Sequence, residues 1–158
     1  MKRYSTTFLK IAVFLIGSPV LILCIYVGMK LVNNPVSQDY AHIVYPMIAG
    51  AYVSAVPFYL ALYEAFRLLC YIDRNTAFSQ LSVNALKNIK RCASVFGIVY
   101  VVVLPFVCLF ADKEDAPGII FLGLIPVVAG MVIAVFAAVL QRLLQDAIDI
   151  KSENDLTV

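Results

Sequence analysis

Glu64 is the first residue whose type and position point to chemistry. It closes an uncharged stretch, residues 40–63, and a carboxylate beside a membrane-length apolar segment is by default a candidate proton or ion site. Arg67 follows one helical turn later and Arg142 closes another such stretch, so both cations are expected at the depth of the carboxylate. We predict that Glu64, Arg67 and Arg142 form an interfacial ion pair that fixes the helix ends, in preference to an ion pathway.

Tyrosine and serine hydroxyls form the second candidate set. Tyr52 and Tyr59 are seven residues apart, which places them on one helical face, and Ser54 lies on a different face with Gly50. A tyrosine hydroxyl near the middle of a span needs a hydrogen-bond partner, whereas small residues favour close helix approach. The sequence therefore predicts intramembrane polar groups at Tyr52, Tyr59 and Ser54.

Motifs for catalysis and metal binding are missing from the sequence. The single histidine, His42, has only Asp39 near it among ligating residues, and the four cysteines include no C-x-x-C pair. The phosphate-binding, dinucleotide-binding and nucleophile-elbow motifs do not occur. No nucleophile, base and orienting group can be assembled, so we expect no enzymatic activity, no metal site and no cofactor.

The composition excludes a water-soluble domain. Of the 158 residues, 63% are hydrophobic and 14% are charged, whereas soluble domains are about half apolar and about a quarter charged. A domain of this length still exposes roughly a third of its surface, which is too much for so apolar a chain to present to water. We predict one integral membrane domain over residues 1–158.

Four long stretches without Asp, Glu, Lys or Arg divide the chain: 11–29, 40–63, 92–111 and 116–141. A helix needs about 20 apolar residues to cross the hydrocarbon core, and in lipid such a segment satisfies its backbone hydrogen bonds as a helix. The sequence therefore predicts an all-α, four-helix membrane bundle built from two transmembrane hairpins. The predicted spans are about 11–32, 42–71, 92–111 and 118–141.

The basic residues predict the orientation of these spans. Cytoplasmic loops of membrane proteins are enriched in Lys and Arg. With both termini and the central segment in the cytoplasm, ten of the twelve basic residues lie on that side, and only Lys30 and Lys113 lie outside. We predict a multi-pass protein of the inner (cytoplasmic) membrane with both termini cytoplasmic. The ten residues are Lys2, Arg3, Lys10, Arg67, Arg74, Lys87, Lys90, Arg91, Arg142 and Lys151.

Residues 72–91 are predicted to form a basic cytoplasmic segment. Ser79 is a suitable N-cap for a helix that begins at Gln80, so the third helix is expected to start about three turns before the membrane. One side of this extension is apolar and the opposite side is polar. The apolar stripe is Leu81, Ala85, Ile89 and Ala93, and the polar stripe is Asn84, Lys87, Asn88 and Arg91.

The polar stripe has two open interpretations. It is either an anchor for anionic lipid headgroups, in which each base contributes about 1 kcal/mol, or a docking face for a cytoplasmic protein. Direct nucleic-acid binding is disfavoured, because the basic set is small and no nucleic-acid-binding fold is recognisable.

The fourth helix is predicted to continue past the membrane into the cytoplasmic tail, residues 142–158. An apolar stripe persists there through Leu140, Leu143, Leu144, Ala147 and Ile148, as expected for a helix that packs on a neighbour. The third and fourth helices are therefore both predicted to have cytoplasmic extensions.

Short motifs accompany the order of the four spans. They are Ala77-Phe78-Ser79, Leu86-Lys87-Asn88-Ile89 and the closing residues 151–158, which end in Asp-Leu-Thr-Val. With these motifs the chain resembles the bacterial membrane proteins of domain-of-unknown-function family 2975. The resemblance implies a four-helix inner-membrane protein and transfers no catalytic residue. Genes for small helix-turn-helix regulators often lie beside those of similar families, which implies such a regulator as a partner.

The predicted function is that of a non-enzymatic membrane protein that presents a cytoplasmic docking surface to a regulatory or other protein. The alternative is a small transporter, channel or immunity-type protein acting on ions, peptides or lipids. Proline in every span and the face that carries Tyr52 motivate this alternative. Because four helices line little cavity, it also predicts a homo-oligomer.

Overall fold

The computed structural model describes residues 2–157, with side chains from Tyr4 to Thr157; the side chains of Lys2 and Arg3 lie outside the described part. In this range the chain forms four α-helices and no strand, and each helix is long and apolar enough to cross a membrane. The predicted all-α architecture with four candidate spans is confirmed. The helices are α1 (Lys2–Asn33), α2 (Gln38–Asp73), α3 (Gln80–Lys113) and α4 (Gly118–Leu156).

Every helix is longer than its predicted span. Even the shortest, α1, has 32 residues, and α4 has 39, which correspond to about 48 and 58 Å at 1.5 Å per residue. The hydrocarbon core measures only about 30 Å. The predicted start of α3 at Gln80 and the continuation of α4 past residue 141 are both found, whereas α1 begins at Lys2, well before residue 11.

Two turns of the same kind end α2 and α3. Asn75 and Asp115 have positive φ angles of 57° and 50°. The N–H of the next residue reaches back five positions: Thr76 donates to the carbonyl of Tyr71 at 2.9 Å, and Ala116 donates to that of Ala111 at 3.0 Å. This is the Schellman pattern, with Asn or Asp in the left-handed position that usually holds glycine. Each turn therefore stops its helix sharply before the chain reverses.

Ser79 lies at the predicted N-cap of α3 with extended backbone, φ −138° and ψ 158°, but its side chain does not cap that helix. The hydroxyl instead donates to the carbonyl of Thr76 at 2.6 Å. Ser79 therefore stabilises the turn that follows α2.

The helices pack in chain order. α1 contacts α2, α2 contacts α3, and α3 contacts α4, while no other pair of helices is in contact in the part of the chain that is described. The four helices therefore form an open row and not a closed ring. α1 and α4 are the two outer members of the row, because within the described residues α1 contacts only α2 and α4 contacts only α3.

Glycines set the closest approaches in this row. A β-carbon on Gly50 of α2 would lie 2.2 Å from Cγ2 of Val103 of α3, so Val103 fills the space that the glycine leaves. Gly130 of α4 is buried against Gly97 and the carbonyl of Ala93 on α3. Gly130 therefore lies at the face of α4 that contacts α3, where a small residue allows the two helices to approach closely.

Candidate functional site

The helices alternate in direction, so four helix termini lie at the same end of the bundle along the helix axes. These are the start of α1, the end of α2, the start of α3 and the end of α4. We call this the basic end. Lys10 of α1 forms an ion pair with Asp73 of α2. α3 is joined to α4 by a hydrogen bond of 3.2 Å from Lys90 Nζ to Gln141 Oε1. Polar contacts between helices therefore hold the basic end together.

Glu64 lies at the centre of these contacts. Arg67 Nη1 is 3.4 and 3.5 Å from the two oxygens of the Glu64 carboxylate, and Asn88 Nδ2 of α3 donates to Oε1 at 3.2 Å. The carboxylate side chain is only 12% exposed, whereas the guanidinium side chain is 41% exposed. The carboxylate thus has a charged partner on its own helix and an amide partner on the next.

Arg142 does not join this ion pair, so its predicted place beside Glu64 is wrong. It is exposed on α4, and α4 does not contact α2. Asn88 takes the position that we had expected for a cation. The sequence placed Asn88 on the polar stripe of α3. It could not identify Glu64 as the partner, because that contact depends on how α3 is aligned along α2.

Arg67 is held between aromatic rings. Its guanidinium carbon lies 5.8 Å from the ring centre of Tyr63 and 5.7 Å from that of Tyr71, and Nη2 donates to the Tyr71 hydroxyl at 2.7 Å. Such cation–π contacts contribute about 0.5–1 kcal/mol at exposed sites. Arg67 therefore has a fixed position at the surface of α2.

The predicted polar stripe of α3 divides into two parts. Asn84, Lys87 and Arg91 are exposed, whereas Asn88 is half-buried through its bond to Glu64. Three residues can therefore meet lipid headgroups or a partner, and the fourth fixes the helix.

The apolar stripe of α3 also departs from prediction at one position. Ala85 and Ala93 are buried, but Leu81 is 53% exposed. The buried face is instead centred on Ser82, Val83 and Leu86. α3 packs against α4 as well as α2, which moves the centre of burial around the helix and away from Leu81.

An apolar groove of about 350 Å³ runs along α3 between α2 and α4 at the basic end. It exists because α2 and α4 both contact α3 and do not contact each other. Phe78, which leads into α3, lies at the groove and is 63% exposed. The lining residues are Leu68, Ile72, Ala77, Phe78, Leu86, Leu140, Leu143, Leu144 and Ala147.

The polar groups inside the spans do not form one face. Tyr52 donates to the carbonyl of Cys24 at 2.7 Å and Tyr59 donates to that of Gly17 at 2.8 Å, so both tyrosines bind α1. Ser54 is buried on the side of α2 that faces α3, where its hydroxyl donates to the Ala51 carbonyl at 2.8 Å and lies 3.3 Å from the Tyr100 hydroxyl. These hydroxyls therefore join helices to each other.

The described residues hold no candidate metal site. They contain no group of three or more His, Cys, Asp or Glu side chains placed to hold a metal ion, and Cys24, Cys70, Cys92 and Cys108 are unpaired thiols.

Comparison with known proteins extends the family resemblance. Residues 32–158 match the model of a family described as "Protein of unknown function (DUF2975)". A protein of Bacillus subtilis (strain 168), described as uncharacterized membrane protein YoaS, is 58% identical over 160 residues, an alignment that covers all of both chains. No solved structure matches the chain.

Proposed function

The chain belongs to the DUF2975 family of proteins of unknown function, and we propose that it is a non-enzymatic, multi-pass protein of the cytoplasmic membrane that docks a cytoplasmic protein at its basic end. The docking site is the apolar groove between α2 and α4. The occupant is one amphipathic helix of the partner, the mode in which a helix lays its apolar face into a hydrophobic groove.

The orientation rests on charge. The helix termini at the basic end carry most of the basic residues, while the other end carries Lys30, Lys113 and the acidic turn that contains Asp115. Positive charge accumulates on the cytoplasmic side. The basic end, with both chain termini and the extensions of α3 and α4, is therefore assigned to the cytoplasm.

The observation that carries the proposal is an apolar surface beyond the charged limits of the spans. Arg91 and Arg142 end the uncharged stretches of α3 and α4, yet Phe78, Leu143 and Ala147 line the groove on the far side of these charges. These side chains lie outside the hydrocarbon core, so lipid tails do not cover them as they cover the spans. An exposed apolar surface rimmed by polar residues is typical of a protein interaction site.

The apolar groove nearest the opposite end, which Val27, Val44 and Phe110 line, lies within the uncharged stretches, where lipid covers it. The connections there are short, residues 34–37 and 114–117. A partner of any size would meet mainly loop backbone and lipid headgroups on that side. A small helix-turn-helix regulator, the partner implied by the family resemblance, presents helices of the required kind.

The test is photo-crosslinking in living cells with a reactive residue at Phe78, followed by identification of the captured protein. Leu143→Asp in the same chain is expected to abolish the cross-link, because it places a charge in the groove. Leu156→Asp is the matched control, since Leu156 is exposed on the same helix and does not line the groove. Cross-linking that persists in Leu143→Asp, or only to lipid, would contradict the proposal.

The alternative of a small transporter, channel or immunity-type protein stays a prediction. Its motivating residues, Tyr52 and Tyr59, are engaged in hydrogen bonds to α1. Solute flux into liposomes, with Glu64→Gln as the comparison, tests it directly. A flux that Glu64→Gln removes would favour transport over docking.

A further inference from the structure

A second surface is formed by exposed residues of α2 and α3 that do not line the groove, near the hydrogen bond from Asn88 of α3 to Glu64 of α2. We propose that this surface is a binding site for an anionic phospholipid, with the phosphate held by the exposed cations Lys87 and Arg91. The site does not depend on the docking of a protein partner.

The α2 part of the site is a stripe that changes from apolar to cationic. Val56, Leu60, Tyr63 and Arg67 follow one another at helical spacing, and the first three are more than half exposed. Val56 and Leu60 lie within the uncharged stretch, whereas Arg67 is beyond it. An exposed tyrosine between them is typical of the membrane–water boundary.

The α3 part of the site is a stripe that changes from cationic to apolar along the chain. Lys87 and Arg91 are exposed, and the stripe continues into the span through Ile98 and Val102, which are 63% and 64% exposed. A phospholipid has the same arrangement, with a charged headgroup at the membrane surface and acyl chains in the hydrocarbon core. The apolar parts of both stripes therefore suit the tails, and the cations suit the headgroup.

The bond from Asn88 to Glu64 holds the two stripes side by side. Glu64 also pairs with Arg67, which offsets one positive charge. No hydrogen bond or ion pair of Lys87 or Arg91 occurs among the described side chains, so these two cations are available to a ligand. A cluster of this kind between helices on the cytoplasmic side is suited to an anionic headgroup.

Native mass spectrometry of the full chain tests the site. The protein is purified in detergent and mixed with phosphatidylethanolamine, phosphatidylglycerol and cardiolipin. The wild type is expected to retain the two anionic lipids in preference to phosphatidylethanolamine. The double variant Lys87→Gln/Arg91→Gln is expected to retain on the order of tenfold less anionic lipid, with retention of phosphatidylethanolamine unchanged.

Three controls make the outcome decisive. Lys87→Arg/Arg91→Lys keeps the charge and should retain lipid as the wild type does. Arg74→Gln removes one positive charge from an exposed position beyond the end of α2 and should have no effect. Helical content measured by circular dichroism establishes that each variant is folded.

Three results would overturn the proposal. The first is equal retention of anionic lipid by the wild type and Lys87→Gln/Arg91→Gln. The second is a loss in Arg74→Gln equal to that in the double variant. The third is displacement of the bound lipid by soluble glycerol phosphate, which would assign the cations to free phosphate compounds instead.

Discussion

A β-carbon on Gly130 would lie 3.0 Å from the Cα atom of Gly97 and 3.0 Å from the carbonyl oxygen of Ala93. α3 and α4 therefore meet with backbone against backbone at this level. Helix association in membranes depends on such packing, because lipid tails are as apolar as the side chains they replace. Gly130 thus fixes the distance between the two helices that carry the longest extensions.

Gly130→Ala is expected to destabilise the protein by about 1–3 kcal/mol. The added methyl group meets backbone atoms, which cannot move away without displacing α4. The free energy of unfolding from mild detergent into sodium dodecyl sulfate measures the effect. Gly97→Ala is a close comparison, because its β-carbon would be 3.8 Å or more from its neighbours, and it should be tolerated. Gly118→Ala, with nothing within 4 Å, should also be neutral; equal losses in all three would contradict the packing argument.

Tyr52→Phe and Tyr59→Phe should each weaken the attachment of α1 to α2. Each variant removes a hydroxyl that donates to a carbonyl of α1, and interhelical hydrogen bonds in membranes contribute about 0.6–2 kcal/mol. The same unfolding titration measures the loss. Tyr45→Phe is the control, because Tyr45 is exposed on α2 and forms no hydrogen bond within the described residues. No difference between Tyr45→Phe and the other two would show that the hydroxyl bonds contribute little.

Glu64→Gln should cost less than about 1 kcal/mol, because the guanidinium of its ion pair is well exposed and solvent screens such pairs. The glutamine carbonyl can still accept the hydrogen bond from Asn88. Glu64→Leu removes that acceptor from a half-buried amide and should cost about 1–3 kcal/mol. Thermal unfolding in detergent distinguishes the two variants. A large loss in Glu64→Gln would indicate that the charge itself is needed.

Asn75→Gly should stabilise the protein by up to about 1 kcal/mol, because glycine adopts the positive φ of this turn without a steric penalty. Asn75→Val should destabilise it by about 1–2 kcal/mol, since a branched side chain is strained at a φ of 57°. Midpoints of thermal unfolding provide the comparison. The same midpoint for glycine and valine would contradict the left-handed conformation at this residue.

The proposed orientation predicts the labelling of single cysteines in a chain whose own four cysteines are replaced by alanine. A membrane-impermeant thiol reagent should label Lys113→Cys in intact cells. Lys87→Cys, which is also exposed, should be labelled only after the membrane is opened. The reverse pattern would place the basic end outside the cell and remove the basis of the docking proposal.

The number and positions of the four helices could be predicted because they depend on local chemistry, although each helix extends beyond its predicted span. Uncharged runs of membrane length must be helical in lipid, so Lys10, Glu64, Arg91 and Arg142 delimited four spans. The start of α3 at Gln80 followed from the position of Ser79 before an amphipathic stretch. These features need no knowledge of which helices are neighbours.

The contacts between helices could not be predicted in the same way. The sequence placed Arg142 beside Glu64 because both close an apolar run, but the open row keeps α4 away from α2. The spacing placed Tyr52 and Tyr59 on one face of α2 and Ser54 on another, but it did not show that the tyrosines bind α1 and that Ser54 meets α3. Helical spacing shows which residues share a face, but it does not show which helix that face meets.

α1 lies at the edge of the row, so its charges and its packing can be considered separately. Its flanking cations contribute to the charge asymmetry of the chain, yet the contacts of α2 with α3 and of α3 with α4 do not involve α1. The family match, which begins at residue 32, covers these three helices and omits nearly all of α1. The first helix can therefore diverge in sequence, or leave its neighbour, without dismantling the part that carries the groove and the lipid site.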